Sequence, residues 1–191
     1  LSERGIPSQL GEKEYSVMLQ AMQTIHRRSK GLLEFVENSR RLTRIPAPIR
    51  TQISIAELFT DLKKLFPGEE FQFEIPSPEL KLNVDRTQIE QILINLLKNA
   101  REACSRKSDK KIQVKVKRLS AGNTTLTISD NGEGILPDVL DKIFVPFFTT
   151  KTSGSGIGLS LCKQIMTLHE GSINVKSEVG KGSSFILTFP K

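Results

Sequence analysis

The sequence predicts an α+β fold, a two-layer sandwich in which one mixed sheet carries three helices on one face, behind a single long helix. Three observations predict it. Strand patterns outnumber helix patterns and several are joined by hairpin signals, unlike the strict strand–helix alternation of a Rossmann domain. A heptad-spaced apolar seam occupies the segment before Pro46 and disappears after it. Between the last two helix-and-strand groups lies DNGEGILPDVLDKIFVPFFTTKTSGSGIG, at 130–158. At about 30 residues it is too long for an ordinary connection and reads as a lid or binding loop.

Composition sets bounds on function. A chain of 191 residues with 37% hydrophobic residues and a mean hydropathy of −0.23 fits one large domain or a domain with an appendage. No apolar run approaches the ~18 residues of a membrane span. No N-terminal segment reads as a signal peptide, and the chain opens on Leu1 rather than Met, so it is read as a fragment. The net charge of +7 favours anionic partners such as nucleotides. Its lysines and arginines are dispersed, however, and with one Tyr and no Trp there is little to stack single-stranded bases. No nucleic-acid partner is expected. Cys104 and Cys162 fall in helical patterns without metal-ligand spacing and read as buried small hydrophobes in a reducing compartment.

Taken in order, residues 1–12 hold Gly5, Pro7 and Gly11 and read as loop. The helix runs from about 12 to 44, with Met18, Met22, Ile25, Leu32 and Val36 in its seam. A lone helix of this length with an apolar seam needs a partner helix. Pro46 and Pro48 end it, and the domain boundary is placed there, with 1–45 on one side and 46–191 on the other. A short strand at 52–55 and a helix at 56–66 follow. Phe71, Phe73 and Ile75 alternate, as do Leu80, Leu82 and Val84, so strands flank the turn at Pro76 and Pro78. Asp85 reads as the N-cap of a helix through about Cys104. Strands at 111–117 and 124–129 join through Gly122–Asn123. After the lid (about 132–158) and a helix at 157–168, strands at 172–177 and 184–190 join through Gly180, Lys181 and Gly182.

The helix at 85–104 has a core face of Ile89, Ile92, Leu93, Leu96, Leu97 and Ala100. Asn95 and Asn99, one turn apart, share another face with Glu102 nearby. Asparagine is a poor helix former, so this pair reads either as exposed amides or as ligands. A neutral amide oxygen suits Mg²⁺ already bound to phosphates and water. Asp130 ends a strand and is followed by glycines. It reads as an Asx turn or as a carboxylate that accepts from an exocyclic amine, selecting adenine over guanine. Gly154, Gly156 and Gly158 lead into a helix whose free N–H groups suit phosphate. They are neither a dinucleotide fingerprint, since Leu159 stands where the third glycine belongs, nor a P-loop.

The order and spacing of these motifs is specific. NLLKNAREA at 95–103, DNGEGI at 130–135, FVPFFTTK at 144–151 and GSGIGLSL at 154–161 resemble the N, first-glycine, F and second-glycine boxes of sensor histidine kinases. The flanking residues resemble the nitrogen-regulation, NtrY-like group. The resemblance spans about 49–191 and implies the Bergerat ATP-binding fold of the gyrase, chaperone, histidine kinase and mismatch-repair superfamily. It implies that Asn99 holds Mg²⁺, that Asn95 lies by the phosphates and that Asp130 holds the adenine amine. Gly132 and Gly134 would edge the adenine pocket. Phe147 would fold the lid with its neighbouring phenylalanines, and Gly154, Gly156 and Gly158 would approach the triphosphate. Ile135, Thr149, Ser155, Ile157 and Leu159 complete the implied nucleotide site. Lys98, Arg101 and Lys151 are candidates for phosphate contacts by charge and position.

The resemblance also implies that 12–44 is the second helix of a dimerisation and phosphotransfer hairpin whose phosphoacceptor helix lies outside this chain. His26 lacks the acidic and proline neighbours of a phosphoacceptor and reads as a flank residue of the helix. His169 reads as a surface residue at a helix C-terminus. The superfamily's ATPases carry a glutamate base where Asn95 stands, so transfer to a histidine is implied rather than hydrolysis. A non-kinase nucleotide-binding module, a serine kinase or an ATPase is the alternative. The implied partners are ATP and ADP, a second copy through the hairpin and a response regulator receiver domain. The implied location is the cytoplasmic part of a membrane-anchored bacterial sensor.

Overall fold

The computed structural model describes residues 11–43, 45–74, 77, 79–120, 122–151 and 154–191. Residues 1–10 of the expected loop, Ile75 at the end of an expected strand, and the turn prolines Pro76 and Pro78 lie outside them. The chain divides into two units, 1–44 and Ile45–Lys191. In the first, α1 (Glu12–Thr43) is one continuous helix, and Met22, Ile25, Leu32 and Val36 of its seam are exposed.

The second unit runs β1 (Thr51–Ser54), α2 (Ile55–Leu65), β2 (Phe71–Glu74), β3 (Lys81–Val84), α3 (Arg86–Ala103), β4 (Ile112–Arg118) and β5 (Thr124–Asp130). It continues with α4 (Pro137–Leu140), α5 (Gly158–Leu168), β6 (Ser172–Glu178) and β7 (Gly182–Phe189). Five strands form a mixed sheet in the order β2-β4-β5-β7-β6. β2 lies parallel to β4, with Phe71 opposite Ile112, and the other neighbours are antiparallel. The two remaining strands do not join it: β1 and β3 pair with each other as a separate ribbon. The strands flanking the proline turn therefore belong to different sheets.

Alternation decides the sheet's buried face. Ile112, Val114 and Val116 of β4, Leu126 and Ile128 of β5, and Phe185, Leu187 and Phe189 of β7 point into the core. Against them lie Ile89, Ile92, Leu93, Leu96 and Leu97 of α3, each 0% exposed. α3 packs on β4, β5 and β7 and against α2 and α5, so it is the central helix of the second layer. Its start is fixed by Asp85, whose side chain accepts from the Gln88 N–H at 3.1 Å. Burial works to raise the Asp85 carboxyl, but hydrogen bonds from the Ile49, Gln88 and Thr87 backbone outweigh it and hold the group below 3.8.

His169 departs from the sequence reading. It is 2% exposed rather than superficial. Its Nε2 accepts from the Asp85 N–H at 3.0 Å, which leaves Nδ1 to donate to the Ile165 carbonyl at 2.9 Å. A histidine at the end of α5 thus ties that helix to the cap of α3.

Removing the Leu96 side chain from the middle of this layer leaves a cavity that α3 cannot close. Leu96→Ala is expected to cost about 2–5 kcal/mol, read as a lower urea midpoint with an unchanged slope.

Candidate functional site

The two layers part at one end of α3, leaving a cleft of about 820 Å³ roofed by the segment between β5 and α5. That volume lies within the range of small-molecule sites. Asn95, Asn99 and Glu102 of α3 line it, with Asp130, Gly134, Ile135, Thr149, Lys151, Gly154, Ser155, Gly156, Gly158 and Leu159. Residues separated by as much as 90 positions in the sequence, from Asn95 to Phe185, thus meet in one cleft.

Asp130 occupies the last position of β5. Its Oδ1 accepts from the Gly132 N–H at 2.9 Å and the Ser183 N–H at 3.3 Å. Its Oδ2 has no donor among the described residues. Burial raises the carboxyl above 3.8, against the opposing pull of those two backbone N–H groups. The next residue, Asn131, is structural: its amide accepts from the Lys111 N–H at 2.9 Å and donates to the Asp109 carbonyl at 2.7 Å. Gly132 backs onto the Ala103 carbonyl and does not line the cleft. The Glu133 N–H donates to that same carbonyl at 3.2 Å, and the Ile135 N–H donates to Ser177 Oγ at 2.8 Å.

The lid is a folded loop. The Phe147 N–H donates to the Gly156 carbonyl at 2.9 Å, tying its two limbs together. Both residues take left-handed backbone, at φ 66° and 68°. A Cβ on Gly156 would stand 2.6 Å from the Phe147 oxygen, so only glycine fits there. Phe148 lines the cleft, while Phe147 is 41% exposed and lies outside it.

The second glycine cluster delivers the N-terminus of α5. Ile157 precedes it with no side-chain cap, so the first N–H groups and the positive end of the helix dipole are open. Gly158 lies against Asn95, and a Cβ there would come within 2.6 Å of its Nδ2. That Nδ2 donates to Cys162 Sγ at 3.2 Å. Burial pushes the Cys162 thiol up to about 12, so it serves as a neutral acceptor rather than a nucleophile. Ile157 itself is buried under the helix start and does not line the cleft.

Two of the three basic candidates are not in the cleft. Arg101 points the other way, with its guanidinium 5.7 Å from the centre of the Phe66 ring, so the expected phosphate contact does not fit this placement. Lys98 also lies outside the lining. Lys151 is inside, donating to Asn99 Oδ1 at 3.1 Å and to Glu102. The cleft further holds Arg106, Glu133, Ser183 and Phe185, which the motifs did not single out. Arg106 and Glu133 form an ion pair at 3.2 Å. Ser183 and Phe185 alternate on β7, and only the antiparallel pairing of β5 with β7 brings them beside Asp130.

A mixed sheet under a layer of helices, with a glycine-bracketed lid over an Asn-bearing helix, defines the Bergerat class of ATP-binding sandwich. The chain belongs to the family of histidine kinase-, DNA gyrase B-, and HSP90-like ATPases, whose model matches residues 84–191. It is 39% identical over 110 residues to the sensor histidine kinase ZraS of Salmonella typhimurium, covering 58% of this chain and 23% of that protein. The catalytic domain of histidine kinase ThkA is 34% identical, with a TM-score of 0.66 over 74% of this chain and 95% of that one. A structure of ThkA in complex with response regulator protein TrrA matches at 25% identity and a TM-score of 0.64, over 100% of this chain and 53% of that one. The chain spans under a quarter of the length of the ZraS protein it matches, 23%.

Proposed function

We propose that this chain is the ATP-binding catalytic part of a two-component sensor histidine kinase. It positions Mg-ATP for transfer of the γ-phosphoryl group to a histidine on an upstream helix. The observation that carries the reading is the pairing of two ends of one cleft. At one end Asp130 keeps an oxygen, Oδ2, without a donor among the described residues. At the other, the open N-terminus of α5 meets Asn95 and Asn99. The first suits an exocyclic amine and the second a chain of phosphates.

The residues fit a magnesium ion. Asn99 Oδ1 already accepts a cation, the Lys151 ammonium, at 3.1 Å. Among the described residues no cluster of three or more His, Cys, Asp or Glu side chains could hold a metal by itself. A metal here would therefore rest on Asn99 and on phosphate oxygens. When bound it would supply the positive charge that offsets the negative charge developing on the phosphates during transfer.

The remaining roles belong to the chain. Asp130 fixes the base. The backbone N–H groups at the start of α5 orient the phosphate chain, and the lid excludes water from it. Asn95 has no proton-accepting carboxylate to activate water, and it is held by Cys162, so this cleft favours transfer over hydrolysis. Thr149 and Ser155 of the lid and Leu159 of α5 line the cleft. The site is an expected cytoplasmic partner of a response regulator receiver domain, and α1 is the proposed dimerisation helix.

Titration with ATP and GTP, each with magnesium and with chelator, tests the binding. Mg-ATP should bind, and GTP should bind at least about tenfold more weakly, because its O6 acceptor would meet a carboxylate. Incubation with γ-labelled ATP tests the role. Neither His26 nor His169 should take label, the latter because both ring nitrogens are engaged. Label on either histidine would overturn the assignment of the phosphoacceptor to another part of the protein.

A further inference from the structure

One side chain of the lid meets two groups of α3. Lys151 Nζ donates to Asn99 Oδ1 at 3.1 Å and forms an ion pair with Glu102 Oε2 at 2.5 Å. Asn99 and Glu102 stand one turn apart on the same helix face, and all three residues line the cleft. The loop that delivers Lys151 is closed on itself. The Lys151 N–H donates to Thr149 Oγ1 at 3.1 Å, and the Gly154 N–H donates to the Lys151 carbonyl at 3.3 Å.

We propose that Lys151 is a latch: in the nucleotide-free protein it holds the lid to α3, and a metal-bound nucleotide must displace it. The inference rests on the nucleotide site proposed above. Its physical basis is competition for one oxygen. The ammonium sits on the amide oxygen that suits a divalent ion, and two cations cannot share that position without repulsion in a partly desolvated cleft. Glu102 supplies the rest of the hold. Its carboxylate is neutralised by Lys151 before the metal arrives and lies beside the metal's position afterwards. The side chains of Lys151 and Glu102 are 46% and 61% exposed, so solvent screens the pair. Such a pair shifts an equilibrium only a few-fold, which makes the latch releasable rather than a permanent clasp. Once released, the ammonium stays tethered in the same cleft as the α5 N-terminus, where phosphates would replace Glu102 as its counter-ion.

The test uses the full chain in three forms: wild type, Glu102→Gln and the charge exchange Glu102→Lys with Lys151→Glu. Without nucleotide, amide exchange around Lys151 should rise about two- to fivefold in Glu102→Gln and return toward wild type in the exchange variant. Glu102→Gln should also bind Mg-ADP about two- to fivefold more tightly than wild type, because less competes for Asn99. Unchanged lid exchange in Glu102→Gln, or no recovery in the exchange variant, would overturn the latch. So would a loss of Mg-ADP affinity of about tenfold or more in Glu102→Gln, which would make Glu102 a nucleotide-site ligand instead. The exchange measurement needs no nucleotide, so its failure removes the latch alone. Failure of the wild type to bind Mg-ATP removes the proposed function, and with it the displacement of Lys151 by nucleotide, even where the exchange measurement shows the Lys151–Glu102 hold.

Discussion

Asp130→Asn is expected to lower ATP affinity by about 10- to 100-fold, the loss of a charge-assisted hydrogen bond of about 1.5–3 kcal/mol. The direction follows from the local geometry. The Gly132 and Ser183 N–H groups both donate to Oδ1, so an asparagine would keep its carbonyl oxygen there. Its Nδ2 would then take the place of Oδ2 and present a donor to the exocyclic amine, donor against donor. The same change offers a partner to the guanine O6, so discrimination against GTP should fall. The folded protein should not suffer. Burial raises the Asp130 carboxyl, which means the charged form is less welcome in the folded state than in the unfolded one. The stability linked to this group is present below the unfolded value of 3.8 and is lost as pH rises through the folded value. The neutral asparagine avoids that loss, so the thermal midpoint of the variant near neutral pH should be equal or higher. In the wild type, ATP affinity should decline on acidification starting at a higher pH than an ordinary aspartate would give. Calorimetric titration of ATP and GTP across pH, with thermal melts of the free proteins, checks all of these outcomes.

Gly156→Val should have the next largest effect, and should separate the lid from the fold. At φ 68° a β-branched residue is strained by roughly 1–2 kcal/mol. Its Cβ would also meet the Phe147 backbone, with the oxygen only 2.6 Å away. The hydrogen bond from the Phe147 N–H to the Gly156 carbonyl cannot survive both demands. ATP affinity should drop about tenfold or more as the lid loses its closed shape. The melting midpoint should move little, because neither Gly156 nor Phe147 belongs to the buried core. A variant that melts far below wild type would show that the lid is integral to the fold rather than an addition to it.

Much of the fold was legible because its signals are local. Alternation at 112–116 and 126–128 marked strands, Asp85 marked a helix start, and Gly122 marked the hairpin it makes at φ 92°. The apolar positions of α3 marked its buried face before any partner was known. What local pattern does not carry is pairing. The strands at 51–54 and 81–84 look like members of the main sheet, yet they bond to each other and not to its edge strands β2 and β6, a choice of partner that alternation within a strand does not encode. His169 looked superficial because its burial comes from the far end of a different helix.

The candidate site divides in the same way. Asn95, Asn99, Asp130 and the glycines of the two clusters were marked by residue type: amides out of place in a helix, and glycines where backbone must turn or be approached. Those preferences are properties of single residues and their near neighbours. Charged side chains are long and exposed, and their direction depends on what stands opposite. Lys98, Arg101 and Lys151 were therefore equivalent in the sequence, and tertiary structure separated them. Arg101 lies over Phe66, and Lys151 lies on Asn99 and Glu102. The sequence by itself determined which backbone segments turn, cap and bury. Only the fold decided which charges meet, because an ion pair between residues 49 positions apart is a property of packing and not of either segment.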